Sequence, residues 1–506
     1  MEVTESGSRA PGDRGPGAVT LDEAGTERVW RAGKLPPMPI RKLPEAPQAA
    51  HIIGPAMILV ALGVGLGETF LWPRLVIVFG PNIRWMFLVG VALQTVVMLE
   101  MARYAMATGE SIFFGAARIA QPIMWLFFVT AIAVYIWPGH ISTGADALEE
   151  LTGIPWQLSA SLGLVIIGLM FTVVKFVYNI VEAVLAFLVG VLVIGSAIVA
   201  AIVGSLSDLG DVLLGLVRFD FGIPHAAVTA AWFPIIVGSI AFAGPSGMQQ
   251  MWYTLWLRDK GAGMGVHMPR VRGLLHAGEE ETIPSGGSMF DVDDPDEMRK
   301  WKDWNKWVRY DAILLFFGTT MLVTIIFTVL AMHAADVNPD ARQNLLNGER
   351  DAALTAMRDA FNDTATILGT VFFIFIAIVG WKASVGLFDA FARGQSDMTY
   401  YFVPGAKKFK MAHLYGLFLW GVIIFGILII NFGPVDGPTG ILNVLAFMST
   451  FVMGAYCLTL AAVNRKCLPK KIRPSMIITV ILALGGITYL GMLFYSMIKF
   501  GVTDLG

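Results

Sequence analysis

The sequence predicts an all-α polytopic membrane protein of about 11 transmembrane helices, arranged as a 5+5 inverted repeat with discontinuous helices 1 and 6. Three observations lead there: a composition too apolar for a soluble domain, apolar runs long enough to cross a bilayer, and Gly- and Pro-rich interruptions at matching places in two of those runs.

Of the 506 residues, 56% are hydrophobic and only 15% charged, and the mean hydropathy is +0.67. Several runs exceed the roughly 20 residues that span a hydrocarbon core as a helix. A transmembrane barrel would show short alternating segments instead. The two cysteines, Cys457 and Cys467, make no disulfide framework, and a net charge of −2 gives no reason to expect a nucleic-acid partner.

Residues 1–48 are polar and rich in Pro and Gly, with no apolar segment near Met1. They read as a disordered cytoplasmic tail without a cleavable signal peptide. The membrane-spanning body follows in 49–506. Hydropathy places its spans near 52–79, 84–107, 123–145, 157–175, 180–204, 228–256, 308–333, 363–388, 413–432, 438–463 and 474–498. Repeat one then covers about 52–204, repeat two about 228–432, and extra helices about 438–498.

Loop charge sets the orientation, because Lys and Arg stay on the cytoplasmic side. The tail holds Arg28, Arg31, Lys34, Arg41 and Lys42, and alternate loops hold Arg118, Arg258, Lys260, Lys407, Lys408, Lys410, Arg465, Lys466, Lys470, Lys471 and Arg473. The intervening loops are acidic, with Asp146, Glu149 and Glu150 in one and Asp208, Asp211 and Asp220 in another. The expectation is a multi-pass protein of the plasma (inner) membrane, amino terminus inside and carboxyl terminus outside. A long cytoplasmic loop, 257–307, ends in "MRKWKDWNKWVR". Its Trp301, Trp304 and Trp307 among lysines read as an interfacial aromatic and basic anchor, with a regulatory contact as the alternative.

The stretch "GVGLGETFLWPR", residues 63–74, interrupts the first span with three glycines, a carboxylate and a proline. Gly63 and Gly67 alone would suit a small-residue packing face between helices. Gly65 between them and Pro73 after them favour an unwound segment, tolerated at membrane depth only where backbone groups line a cavity or bind something. The sixth span repeats the feature in "GSIAFAGPSGMQQMWYTLW", residues 238–256, with Gly244, Pro245, Ser246 and Gly247. Two unrelated kinks would explain each break singly. Five helices apart, they match the first helices of two inverted repeats, with a binding site between them.

The segments "GPAMILVALGVGLGE" (54–68), "ARYAMATGES" (102–111), "LEELTGIPW" (148–156) and "YNIVEAVLAFLVGVLVIG" (178–195) resemble spans of the Nramp family of divalent-metal transporters. The resemblance covers most of spans one to six. It implies the inverted-repeat fold first seen in bacterial leucine transporters, metal transport and proton symport. The family's first-span Asp-Pro-Gly-Asn falls on Gly65, Leu66, Gly67 and Glu68, so the carboxylate has moved by three residues. Its sixth-span Met-Pro-His-Asn falls on Gly244, Pro245, Ser246 and Gly247, which removes the thioether and the histidine.

Ligand chemistry turns these departures into an expectation. Without a thioether, a site of Glu68, the backbone oxygens of Gly65, Ala241 and Gly244, Ser246, and Gln249 or Gln250 suits a hard, partly hydrated cation of the Mg²⁺ or Mn²⁺ class. The cation would be cargo, and no cofactor is implied. The alternative is an amino acid, amine or other small organic solute on the same fold, since "GLGETFLWP" also resembles the first-span motif of amino-acid and polyamine transporters. Glu68 would then attract an amine. A membrane-embedded enzyme has little support: the seven histidines form no H-E-x-x-H pair, and no G-x-S-x-G or G-K-[ST] loop is present.

Other charges within spans are candidates for coupling or gating. Arg74 follows the first break and reads equally as an outer-mouth residue. Glu100 and Arg103, three apart, suit a pair along one face. Lys382 and Asp389 in "GWKASVGLFDAF" share a face only approximately; Lys382 would replace a coupling cation or simply snorkel. His140, after Pro138 and Gly139, would relay protons or cap a break near the outer surface.

Overall fold

A computed structural model describes residues 27–47, 60, 64–173, 177–218, 227–268, 285–347, 352–435 and 437–501. Among them, eight helices are long and apolar enough to cross a membrane. The pair Phe187–Val203 and Leu206–Val217, bent by 120°, adds a ninth. The two interrupted spans have halves too short to cross alone. The described half of the first is α1 (Trp72–Phe79), and the sixth consists of α2 (Phe233–Ala241) and α3 (Gln249–Lys260). With these two the count reaches the expected 11. The calls at residues 1–26, most of 48–63, and Gly63 itself lie outside the described residues.

Several boundaries differ from the hydropathy reading for physical reasons. The third span runs from Gln121 to Thr152 and is interrupted at residues 136–138, where Pro138 cannot donate to the helix ladder. The acidic loop expected after the fifth span is instead a helix, Leu206–Val217, started by a capping box between Ser205 and Asp208. Its Leu206, Leu213, Leu214 and Val217 are exposed, the pattern of a helix lying along a membrane surface. The eighth span is one 37-residue helix, α4 (Thr366–Phe402), extending well past the expected residue 388. At 1.5 Å per residue it is about 55 Å long, enough to carry side chains from mid-membrane to beyond one surface.

The expected disorder of the tail is wrong for residues 27–47. Val29–Trp30 pairs antiparallel with Met38–Pro39, and Ile40 bridges to Met289 of the long loop. The Leu43 amide donates to Glu297 at 2.6 Å, and the Trp304 indole donates to the Pro44 carbonyl at 2.9 Å. The interfacial anchor is corrected by the same contacts. Trp301, Trp304 and Trp307 are 4–5% exposed, on α5 (Pro295–Tyr310), and Trp301 stacks on Phe290. The polar composition of the tail hid six apolar residues: Ala32, Met38 and Leu43 join the main core, and Trp30, Leu35 and Ala46 pack against it.

The helix α5 continues through a π-helical stretch, Asp311–Gly318, into α6 (Thr319–Val337), making a 43-residue seventh span. Around the two broken spans pack the second span, α7 (Trp85–Thr108), the tenth, α8 (Gly437–Cys467), and α4. Charged and amide side chains are drawn into the centre of this bundle, where spans one and six cross.

Candidate functional site

The first span unwinds where its glycines deprive the helix of side-chain support, and it restarts through a π-helical turn, Gly67–Leu71, ahead of Pro73 at the head of α1. The sixth span opens between Ala241 and Gln249, with Gly244 at φ 103° and Gly247 at φ 57°. Such angles suit glycine and strain other residues. The two breaks touch backbone to backbone. A Cβ on Gly67 would stand 2.0 Å from the Phe242 carbonyl oxygen.

Glu68 lies at that crossing, fully buried. Its Oε2 accepts the Gly65 amide at 2.9 Å and its Oε1 accepts the Gly244 amide at 2.8 Å. One carboxyl group therefore satisfies backbone donors from both breaks, as burial of polar groups requires. Lys382 of α4, also fully buried, donates from Nζ to the Val64 carbonyl. The ammonium and the carboxylate are thus anchored on consecutive residues, Val64 and Gly65, and they interact electrostatically. The snorkelling alternative for Lys382 is excluded by this placement.

The remaining expected ligands are mostly engaged within the protein. The Gly65 carbonyl accepts the Thr69 hydroxyl at 2.8 Å, and the Ala241 carbonyl accepts the Gln94 amide at a longer 3.3 Å. Gly244 presents its N–H rather than its carbonyl to Glu68. Ser246 Oγ accepts from Gln249 at 3.3 Å, and Gln250 donates to the Gln94 carbonyl at 2.9 Å. Gln249 Oε1 is buried and has no hydrogen-bond partner, a free oxygen donor in an otherwise satisfied site. No group of three His, Cys, Asp or Glu suited to a metal ion occurs among the described residues.

His140 begins the second half of the third span, 3% exposed, with its ring stacked 5.6 Å from Phe242 in the sixth-span break. It is buried beside the crossing and not at an outer surface, and it lines a small cavity with Ser384 and Phe388. The other candidates lie apart. Arg74 is buried, its guanidinium over the Trp232 ring at 5.2 Å. Glu100 and Arg103 form a two-pronged pair at 2.9 and 3.0 Å, and Asn464 donates to the same carboxylate at 2.9 Å. Asp389 does not join Lys382. It accepts from Arg393 at 3.0 Å, Tyr415 at 2.9 Å and Trp256 at 3.2 Å, toward the tail-bearing face. Arg393 also pairs with Asp259, and Arg258 with Asp397 at 2.6 Å.

Sequence reasoning missed four residues. Gln94 ties the second span to both Ala241 and Gln250. Tyr135 accepts the Met248 amide at 2.9 Å and contacts the Ser246 carbonyl at 3.3 Å, bracing the sixth-span break from the end of a helix half. The Trp72 indole donates to the Ser239 carbonyl at 2.9 Å, joining the two broken spans a second time. Arg84 is fully buried, donates to the Thr324 carbonyl at 2.8 Å, and interacts electrostatically with Glu68. A lone glutamine or arginine within or beside an apolar run was the available signal.

Two interrupted helices crossing at mid-bundle, braced by a carboxylate, define a multi-pass membrane protein of the inverted-repeat transporter fold. Solved structures share that fold along nearly the whole chain. A manganese transporter of Eremococcus coleocola, in complex with an aromatic bis-isothiourea compound, overlays with a TM-score of 0.58 at 11% identity, covering 91% of this chain and 97% of that one. Mhp1, a nucleobase-cation-symport-1 family transporter, gives 0.52 at 14% identity over 89% and 91%. MhsT in complex with L-phenylalanine gives 0.51 at 12% identity over 90% and 99%. No family model and no curated protein sequence matches the chain. The fold implied by the Nramp resemblance is therefore the fold the chain has.

Proposed function

We propose that this protein is a secondary transporter that moves a cation across the plasma membrane by alternating access, with its amino terminus in the cytoplasm. The observation that carries the reading is Glu68, a buried carboxylate bonded to backbone amides of both broken helices where they cross. In this architecture the substrate sits between those helices, and a carboxylate there selects for positive charge.

A divalent cation of the Mg²⁺ or Mn²⁺ class is the first cargo. Glu68 would supply the charge, with Gln249 Oε1, unpartnered and buried, and the weakly engaged Ala241 carbonyl as neutral oxygens. A small hard ion that keeps several waters needs no more than one or two carboxylates. Lys382 would withdraw as the ion arrives, and His140 would carry any coupled proton.

An organic amine is the second reading, favoured by a specific observation. The Lys382 ammonium already rests on a carbonyl of the first break beside Glu68, the arrangement an amine substrate would reproduce. A thermal-shift screen of the purified protein with Mg²⁺, Mn²⁺, Ca²⁺, amino acids and amines separates the two, because a ligand that binds only the folded state raises its stability. Stabilisation by a divalent ion that disappears in Glu68→Gln supports the first reading. Stabilisation by an amine alone supports the second. Stabilisation by neither, with uptake into vesicles unchanged in Glu68→Gln, rejects both.

A further inference from the structure

A second site lies on the tail-bearing face, away from the crossing of the broken helices. A cavity of about 360 Å³ is lined by the tail, the short helix Ile112–Ile119 between spans two and three, the long loop and the segment that follows α4 together with its last residues. Its lining is basic: Arg41 from the tail, His267 and Ser288 from the loop, Arg118, and Lys407 after α4. No acidic side chain among the described residues lines it. Arg118 is matched from behind by Glu110, at 2.6 and 2.8 Å, and Glu110 is fully buried. Arg41 feels the charge of Glu27. His267 and Lys407 add to a wall with more positive than negative charge.

An independent observation points to a ligand. Ser288 is 3% exposed, lines the cavity, and its Oγ is buried without a hydrogen-bond partner. A buried hydroxyl left unmade costs about 1–3 kcal/mol unless something bonds it. Burial chiefly, and the nearby Arg41 in addition, disfavour a charged imidazole at His267, so basic groups crowd this wall.

We propose that this cavity binds a phosphoryl group, with Arg41 and Lys407 holding its charge and the Ser288 hydroxyl donating to one oxygen. Donors arrive from separate segments of chain and so from several directions, which suits a tetrahedral oxyanion better than a planar carboxylate. Guanidinium forks and ammonium groups make the strong charge-assisted bonds that such oxygens accept. The volume leaves room for more than a bare ion, so a phosphate carried on an organic group fits. Occupancy would tie the tail to the end of the eighth span. This inference stands apart from the transport reading and does not depend on the cargo.

The test uses the full chain in phosphatidylcholine nanodiscs, following the thermal unfolding midpoint against inorganic phosphate and pyrophosphate, with sodium chloride as the control for ionic strength. A second arm replaces part of the phosphatidylcholine with phosphatidylglycerol. The variants are R41Q/K407Q and, for a smaller change, Ser288→Ala. Stabilisation by the soluble phosphates beyond chloride at equal ionic strength, with half-saturation weakened roughly tenfold in a variant, supports the site and assigns it to a free phosphate. Stabilisation only in phosphatidylglycerol, lost in a variant, supports it and assigns a lipid headgroup. Equal responses in wild type and both variants, or no response to either source, overturns it. Should R41Q/K407Q fail to fold, the Ser288→Ala comparison decides.

Discussion

Glu68 and Gly244 are 176 positions apart in the chain, yet the Glu68 carboxylate accepts the Gly244 amide at 2.8 Å while its other oxygen holds Gly65. A single side chain thus closes the gap between two interrupted helices. Its removal should cost more than a surface charge would.

Glu68→Gln puts an amide where two donors already point, leaving one buried N–H unpaired and the Lys382 ammonium without its counter-charge. A loss of about 1–3 kcal/mol is expected for the unpaired donor alone. Removing one partner of a buried pair is worse than removing both. The double variant with Lys382→Met should therefore recover part of the loss, with a coupling of about 0.5–3 kcal/mol in unfolding measurements. Simple additivity of the two single variants would show that the residues do not interact.

Gly67→Ala should be among the most damaging single-methyl additions in the protein. The new Cβ would meet a backbone oxygen at 2.0 Å, and backbone cannot rotate away as a side chain can. Either the breaks separate or the protein fails to accumulate. Gly421→Ala, where nothing lies within 4 Å of the added carbon, is the matched control and should behave as wild type. Equal yield and thermal stability in the two variants would contradict the crossing.

The ordered part of the tail is open to hydrogen exchange. The amides of Ile40, Arg41 and Leu43 are each bonded, to Arg28, Met289 and Glu297. They should exchange far more slowly than the amides of an unstructured tail. Glu297→Ala removes the Leu43 acceptor and a partner of Lys300, and should speed exchange across 38–45 while leaving α4 protected. Uniformly fast exchange across 38–45 in the wild type would count against the docking.

Tail docking should weaken in acid. Burial, together with the nearby Arg41, holds His267 below its ordinary 6.5, against the opposing pull of the Lys42 carbonyl. The unfolded or undocked segment then binds a proton that the docked one refuses. Stability is complete above about pH 6.5 and falls as the pH drops below that value. Burial acts to raise Asp291, but its bonds to Arg28 and to the Asp293 amide outweigh it and hold it below the ordinary 3.8. It contributes stability above that value, lost as the pH falls through its folded pKa. Exchange rates over 38–45 should rise between pH 6.5 and 5 in the wild type and less in His267→Gln.

The crossing of the two spans was legible because glycine and proline in an apolar run are a chemical anomaly, and the anomaly recurred five helices later. Glu68 was legible for the same reason. Its partners were not, since a backbone amide has no letter of its own in a sequence and the Gly244 N–H looks like any other. Lys382 and Asp389 illustrate the converse failure. Seven residues apart, they lie about 10 Å apart along α4, so Lys382 meets the first-span break while Asp389, also buried, meets Arg393, Tyr415 and Trp256. The tail misled through composition: a few apolar residues, each separated by polar ones, suffice when a neighbouring loop offers a groove.

The clasp between Glu68 and the two amides has one more consequence. Under the proposed transport function, a cargo arriving at the crossing would not fill an idle site, because the protein's own bonds hold that position first. Measured affinity is then the difference between two sets of contacts, and selectivity is set as much by what the cargo must displace as by what it gains. A weak clasp would admit many ions, whereas a firm one would leave the proposed carrier closed to all but a cation whose bonds to Glu68 outweigh the amide and ammonium contacts it displaces.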